Sequence, residues 1–487
     1  MRDDEIRSRL VALNPWWRAA ATGEDPTAWA ADDRMLRARA AYDLGYRSSV
    51  LADLASGPIT DALVVLRGPR RVGKSVALKD TVVHLCNRSD VDPRQVIFVA
   101  VDGMRSNDLN RVAVLGRDLT RSVGDTRRVW LLDEVTAVPG WTTAIKFLRD
   151  NTAFGEDTVV CTGSSWDADA QAERDLFAGR AGATNTRRSR LLLPMRFRDV
   201  VAATERGVAL PEPVAPWDLQ GPAAAAAASA AEFATEELDL AWQAYLTSGG
   251  FPRAVAEHHR TGQVSDAFLA DLVAWLHQDV DADAPPDSVP MLLAGIQDRT
   301  CSPLNRAATS AALNYANRSA FETRLSRLTS SFAALWCHQV DDSGRRIPGA
   351  QSKLYLADPL LAWIGPRTRA GLATPDFTAL TEAALGIALA AAVEERQQGR
   401  RAAEDAIGFL RTGSGNEIDF APMPIPTAAG VSMTTPLESK WVSRSWRSEA
   451  KVLEGRLGNG VLATRTIIDT STPAWALPAP LVALLLG

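Results

Sequence analysis

Between residues 61 and 205 short apolar runs alternate with longer, helix-length stretches. The runs are Leu63–Leu66, Val96–Val101, Val129–Leu132, Thr158–Cys161 and Leu191–Leu193. Apolar runs without polar alternation mark strands buried on both faces, and the spacers between them predict a parallel sheet with helices on both sides. Ligands in such sheets bind at the carboxyl ends of the strands. Residues 1–60 read as helical. Within them Asn14-Pro15-Trp16-Trp17 is most simply a hydrophobic anchor, with base stacking as the other use of paired indoles.

Past residue 205 the pattern changes. Pro211-Glu212-Pro213 and Pro216 precede the alanine run Ala223–Ala228, a linker entering a helix, and Tyr245–Pro252 contains a tight turn. From 288 to 365 short helices open at Ser302-Pro303-Leu304-Asn305 and Ser319-Ala320-Phe321-Glu322, before the strand Lys353-Leu354-Tyr355-Leu356. That order fits a helix-turn-helix with a wing. Its second helix would carry Arg318, Arg324 and Arg327 to a DNA groove, or the same fold would serve protein contacts. Beyond 370 a helix around Leu380–Ala383 is followed by Gly408–Thr412 and Glu417–Phe420. A Pro/Thr-rich connection, longer than a tight hairpin, then leads to Pro436–Trp441.

Composition narrows the class. A chain of 487 residues, 46% hydrophobic and 23% charged, is an ordinary globular protein of about three domains. A net charge of −5 excludes general attraction to polyanions, so any nucleic-acid contact needs a local basic patch. The four cysteines are scattered without a C-x-x-C, which suits a reducing compartment, and the five histidines form no zinc pattern. Met1-Arg2-Asp3-Asp4-Glu5 lacks the apolar core of a signal peptide. The run Ala474–Leu486, with Pro478 and Pro480, is short of the roughly twenty residues a span needs. A cytoplasmic protein without membrane segments is expected.

The chemistry concentrates at strand ends. After Leu63–Leu66 comes Gly68-Pro69-Arg70-Arg71-Val72-Gly73-Lys74-Ser75 and then a helix, the G-x-x-x-x-G-K-[ST] order of a phosphate-binding loop. Glycines let successive N–H groups turn toward phosphate oxygens, and the helix N-terminus adds positive partial charge. Lys74 would reach the β- and γ-phosphates, and the Ser75 hydroxyl would ligate Mg²⁺. Val129–Leu132 ends in Asp133-Glu134, where Asp133 would hold Mg²⁺ through water and Glu134 would orient or deprotonate the attacking water. At the tip of the strand Thr158–Cys161, Thr162 is favoured to contact the γ-phosphate or the water, with Ser164 as rival. Among Arg180, Arg187, Arg188, Arg190, Arg196 and Arg198, Arg180 is the candidate arginine finger, in cis or across a subunit boundary; a basic surface is the alternative. ATP and Mg²⁺ are the expected cofactors, and homo-oligomerisation is left open. Near the C-terminus, Glu438 and Lys440 share one face of a strand, and Asp419 on the preceding strand can meet them. Asp419 and Glu438 would then bind a second Mg²⁺, with Lys440 stabilising charge or positioning water.

Together these residues resemble the bacterial and archaeal P-loop ATPases of the AAA_14/DUF4143 type, within the AAA+-like branch. Gly68–Ser75, and Leu132-Asp133-Glu134-Val135 with Val138-Pro139-Gly140-Trp141, are similar to that family's nucleotide site. Gly249-Gly250-Phe251-Pro252 is similar to the opening of its DUF4143 half, and Glu417–Phe420 with Glu438-Ser439-Lys440 to its PD-(D/E)xK nuclease-like end. The resemblance implies an α/β protein: a P-loop NTPase sheet with helices on both faces, then a winged helix and a small α/β nuclease-like domain. Glu382 would match the helix-borne first acid of the nuclease fold. The expected layout is a helical extension (1–60), a P-loop ATPase domain (61–205), a linker and helical region (206–287), a winged helix (288–368) and a nuclease-like domain (369–487). The function expected is ATP hydrolysis coupled to action at DNA through the winged helix and a Mg²⁺-dependent nuclease-like domain, with DNA cleavage by the latter left open, in genome maintenance or defence against foreign DNA. A switch ATPase with a protein-binding scaffold is the alternative.

Overall fold

The computed structural model describes residues 1–165, 176–177, 179, 188–205, 210–396, 405–411, 416–427 and 429–487. The chain divides into two compact units, one of Met1–Leu192 and one from Leu193 onward.

In the first unit five parallel strands, β1 (Ala62–Arg67), β2 (Val96–Ala100), β3 (Val129–Asp133), β4 (Thr158–Gly163) and β5 (Ser189–Leu191), pair in the order β2-β3-β4-β1-β5. The helices Lys74–Cys86, Ser106–Leu119 and Trp141–Asn151 connect them. β1, β3 and β4 are buried at every position, which is why unbroken apolar runs announced them. β5 starts two residues before the run Leu191–Leu193. It carries the buried Arg190, paired to Asp53 at 2.6 Å, and such a long-range ion pair leaves no hydrophobic trace. Pro194, three residues past the end of β5, lacks the N–H that a continuing ladder needs.

The open edge of β2 is closed by side chains. Asn14 donates to the Phe98 carbonyl (2.9 Å) and accepts from the Phe98 N–H (2.7 Å). The indole N–H groups of Trp16 and Trp17 both donate to the Val96 carbonyl at 2.9 Å. Asn14-Pro15-Trp16-Trp17 thus stands in for a sixth strand and satisfies edge groups that would otherwise recruit another chain. At the opposite ends of the strands, the fully buried Asp157 accepts from the Trp130 indole (2.7 Å) and the Arg128 N–H (2.8 Å) and pairs with Arg117 (2.7 Å).

The second unit opens with helices. In Pro222–Ala231 the alanines at 224, 228 and 231 are buried at helical spacing, so the run is a packed face. Gly249-Gly250 is a docking point for backbone. A Cβ on Gly250 would lie 1.9 Å from the Met195 carbonyl oxygen, and the Gly250 N–H donates to Asp358 at 2.7 Å. Three helices, Ser288–Gln297, Arg306–Ala312 and Arg318–Ser330, then precede the antiparallel pair β6 (Ala334–Gln339) and β7 (Ser352–Leu356). This pair is not a free wing. β6 also pairs in parallel with β8 (Gly408–Arg411), which pairs with β9 (Glu417–Ile418), so the sheet β7-β6-β8-β9 crosses the expected boundary at 368.

Helix Phe377–Arg396 is long and apolar enough to cross a membrane, but 83% of its most apolar window is buried inside the unit. It is a core helix and carries the buried Glu382 and Glu394. The Pro/Thr-rich connection folds as its own hairpin, β10 (Pro424–Thr427) with β11 (Gly430–Met433), and the bridge Phe420↔Leu437 closes its base. After it, β12 (Leu437–Ser439), β13 (Gly460–Thr464) and β14 (Ala474–Pro478) run parallel, and the buried helix Ala479–Leu486 follows.

Candidate functional site

The phosphate-loop sequence sits at the carboxyl end of β1 and opens helix Lys74–Cys86. Gly68 passes against β5's continuation so closely that a Cβ would lie 1.9 Å from the Leu192 carbonyl oxygen. Gly73, at φ 99, turns the chain into the helix. Pro69, Arg70, Arg71 and Val72 form the turn between them, with Arg71 at φ 68 and Val72 buried. Lys74 is buried, and its ammonium donates to the carbonyls of Gly68 (2.9 Å) and Pro69 (2.8 Å), which anchors it inside the loop. Ser75 is the second residue of the helix and half-buried.

β4 lies between β1 and β3, so its tip separates the loop from the acidic pair. Thr162 is fully buried there. Its hydroxyl donates to Asp133 Oδ1 at 2.6 Å and accepts the Glu134 N–H at 3.0 Å. Glu134 adopts a left-handed backbone (φ 61), and Ser164 donates to its Oε2 at 3.1 Å. A side-chain-bearing residue held at positive φ at the end of a central strand is a local cost, and here the Thr162 hydroxyl holds it in place. Asp133, Glu134, Thr162 and Ser164 are therefore one hydrogen-bonded array, with Thr162 engaged by both acids' residues and Ser164 by the carboxylate of Glu134. Ser75 and Asp133 supply the hard oxygen donors Mg²⁺ takes, and this part of the donor set fits that ion. Arg180 and Arg187 lie outside the described residues. Of the other cluster arginines, Arg190 pairs with Asp53 and Arg196 with Glu395 at 3.0 Å, while Arg198 donates to the Leu484 carbonyl at 3.2 Å.

Residues 60–201 match the family model of an AAA domain. The first unit carries an AAA-type P-loop fold. No curated protein matches the chain. Among solved structures, it is similar to the Walker-type ATPase PABY2304 of Pyrococcus abyssi at 14% identity, over 62% of this chain and 91% of that one, with a TM-score of 0.37. A likeness that loose decides nothing about chemistry.

In the second unit Glu382 and Asp419 meet at a residue the strand pattern did not single out, and Glu438 with Lys440 joins them through Asp419. Lys353 on β7 is wholly buried, and its ammonium pairs with Glu417 (2.6 Å), Glu382 (2.9 Å) and Asp419 (2.9 Å). Tyr355, two residues on and so on the same strand face, donates to Glu382 at 2.6 Å. The second oxygen of Asp419 accepts the Ser439 N–H (3.0 Å). Glu438 accepts the Asp419 N–H (3.0 Å) and pairs with Lys440 (2.7 Å). Burial works against a charge on Lys353, yet Asp419, Glu382 and Glu417 outweigh it and raise its pKa. Burial, then Asp419, raises Glu382 and pushes Glu438 up to about 7.

The metal assignment for Asp419 and Glu438 does not fit this geometry. All four of their carboxylate oxygens already accept from N–H or ammonium donors. Among the described residues no group of three acid, histidine or cysteine side chains stands at metal-holding distances. One signal was present in the sequence: a lysine set among apolar residues, two positions before a tyrosine and therefore on the same strand face.

The basic groups expected to face DNA are also engaged. Arg324 pairs with Asp281 at 2.6 Å and lies over the Tyr315 ring. Arg318 pairs with Glu322 at 2.8 Å, and the exposed Arg327 donates to the Val280 carbonyl at 3.3 Å.

Proposed function

We propose that this protein is a Mg²⁺-dependent ATP hydrolase acting as a nucleotide-driven switch, with its second unit as a protein-binding scaffold. The observation that carries the ATPase reading is the array at the ends of β1, β3 and β4. Thr162 ties Asp133 to the backbone of Glu134, and Ser164 aims the Glu134 carboxylate, beside an anchored Lys74.

In this reading the loop N–H groups and Lys74 hold the phosphates, and Ser75 and Asp133 hold Mg²⁺, which neutralises phosphate charge when bound. Glu134 orients the attacking water and takes its proton. Thr162 and Ser164 keep that carboxylate in register, and a finger at Arg180, in cis or from a second copy, would stabilise the departing charge. Titration with Mg-ATP tests the binding half. Lys74→Ala should lose tight binding, and parental affinity in that variant would defeat the assignment.

A second reading places the protein at DNA in the cytoplasm. Its support is the order of three helices and a hairpin, that of a winged helix. Against it, Arg318 and Arg324 are committed to acidic partners. Duplex affinity measured across a salt series separates the two: a steep loss with salt supports DNA contact, and negligible binding at low salt leaves the scaffold.

A further inference from the structure

We propose that the Lys353 ammonium is the resident cation of the carboxylate cluster in the second unit, in place of a divalent metal. Three oxygens from three different elements close on a single point: Glu417 Oε1 of β9 at 2.6 Å, Glu382 Oε1 of helix Phe377–Arg396 at 2.9 Å, and Asp419 Oδ1, just past β9, at 2.9 Å. The donor at that point is the Nζ of a side chain with no solvent exposure, carried on β7 in the same sheet as β9. Carboxylates that stay ionised this close together in a buried space need a positive charge among them. A metal would fill that need with oxygens at 2.0–2.6 Å and several waters. Here the protein fills it with its own chain.

Further features agree. Tyr355 and Lys353 face the cluster from one strand, so β7 supplies both the cation and a hydroxyl donor to Glu382. The remaining acid, Glu438, has its own ammonium in Lys440. The long excursion β10–β11 leaves the site intact, because the bridge Phe420↔Leu437 fixes Asp419 beside β12. The cluster is therefore complete without an added ion, and it ties the 334–356 hairpin to the C-terminal part of the unit.

Replacing the ammonium by empty space should turn the cluster into a real cation site. The oxygens stand 2.6–2.9 Å from the Nζ position. A small inward shift reaches the distances of Ca²⁺, whereas Mg²⁺ at about 2.0–2.1 Å needs a larger one. The full-length chain, without nucleotide, is followed by thermal unfolding and by calorimetric titration with Ca²⁺ and Mg²⁺. The parent protein is expected to show neither binding nor a thermal shift. Lys353→Ala should unfold at lower temperature, regain stability with Ca²⁺ more than with Mg²⁺, and bind Ca²⁺ with a Kd of roughly 0.1–1 mM.

A second substitution, Glu417→Gln, should weaken that binding at least tenfold. Lys353→Arg keeps a cation in place and should need no Ca²⁺. Three results would overturn the inference: Ca²⁺ or Mg²⁺ binding by the parent that Asp419→Asn abolishes, unaltered stability in Lys353→Ala, or failure to recover folded Lys353→Ala even when it is produced in millimolar Ca²⁺.

Discussion

Replacing Thr162 by valine keeps the shape and removes one hydroxyl. That hydroxyl makes two contacts inside a fully buried spot, 2.6 Å to Asp133 Oδ1 and 3.0 Å to the Glu134 N–H. A buried group left without its partner costs about 1–3 kcal/mol, so the two together amount to on the order of 2–6 kcal/mol. Part of this is lost stability, and part is lost positioning, because Glu134 sits at φ 61 with its N–H held by Thr162. If about half of this, roughly 1–3 kcal/mol, is felt in the transition state, kcat falls roughly fivefold to 150-fold, at about 1.4 kcal/mol per decade. Lys74 and the loop are untouched, so KM for ATP should stay within about threefold. Steady-state ATP turnover and thermal unfolding of Thr162→Val are the assay. A variant that melts earlier yet turns ATP over at the parental kcat would mean that Thr162 is only a structural tie.

Asp157→Ala should cost about 3–5 kcal/mol in urea unfolding, because Arg117, the Trp130 indole and the Arg128 N–H all lose a buried partner; a loss below about 1 kcal/mol would mean that these three donors find other partners. His338 is depressed to about 4 by burial, then by Arg346 and Arg306. The unfolded chain takes this proton near pH 6.5 and the folded one only near 4, so the stability it contributes is complete above 6.5 and is lost as pH falls toward 4. His338→Gln should flatten that part of the profile, and parallel profiles for parent and variant would dismiss the histidine. Arg180→Ala should hydrolyse ATP poorly and, if the finger acts between copies, regain activity when mixed with Lys74→Ala; normal turnover alone and no gain on mixing would make it a surface arginine.

The sheet of the first unit was legible because its strands are buried on both faces and so appear as unbroken apolar runs, and the loop Gly68–Ser75 because its turn demands fixed residue types. β5 was misplaced by two residues, since its anchor is the Arg190–Asp53 pair, 137 residues apart in sequence. The convergence of Glu382, Asp419, Glu438 and Lys440 was also readable from strand alternation and the family resemblance. What they converge on was not. Lys353 belongs to a hairpin that reads as a wing, and only the parallel pairing of β6 with β8 brings it to acids 29 and 66 residues away. Periodicity reports which face a residue occupies, and it says nothing of which distant strand will lie beside it. Asn14-Pro15-Trp16-Trp17 was readable as an anchor, but its work on the β2 edge depends on backbone groups that no side-chain pattern reveals.

In the proposed mechanism Glu134 activates water for ATP hydrolysis on a site built by Lys74, Asp133 and Thr162. Parallel measurement of Mg-ATP affinity and turnover in Glu134→Gln tests it most directly, since the amide keeps the shape and removes the base. The variant should bind ATP within about threefold of the parent and turn it over at least roughly a hundredfold more slowly. Parental turnover by Glu134→Gln would mean that another group activates the water.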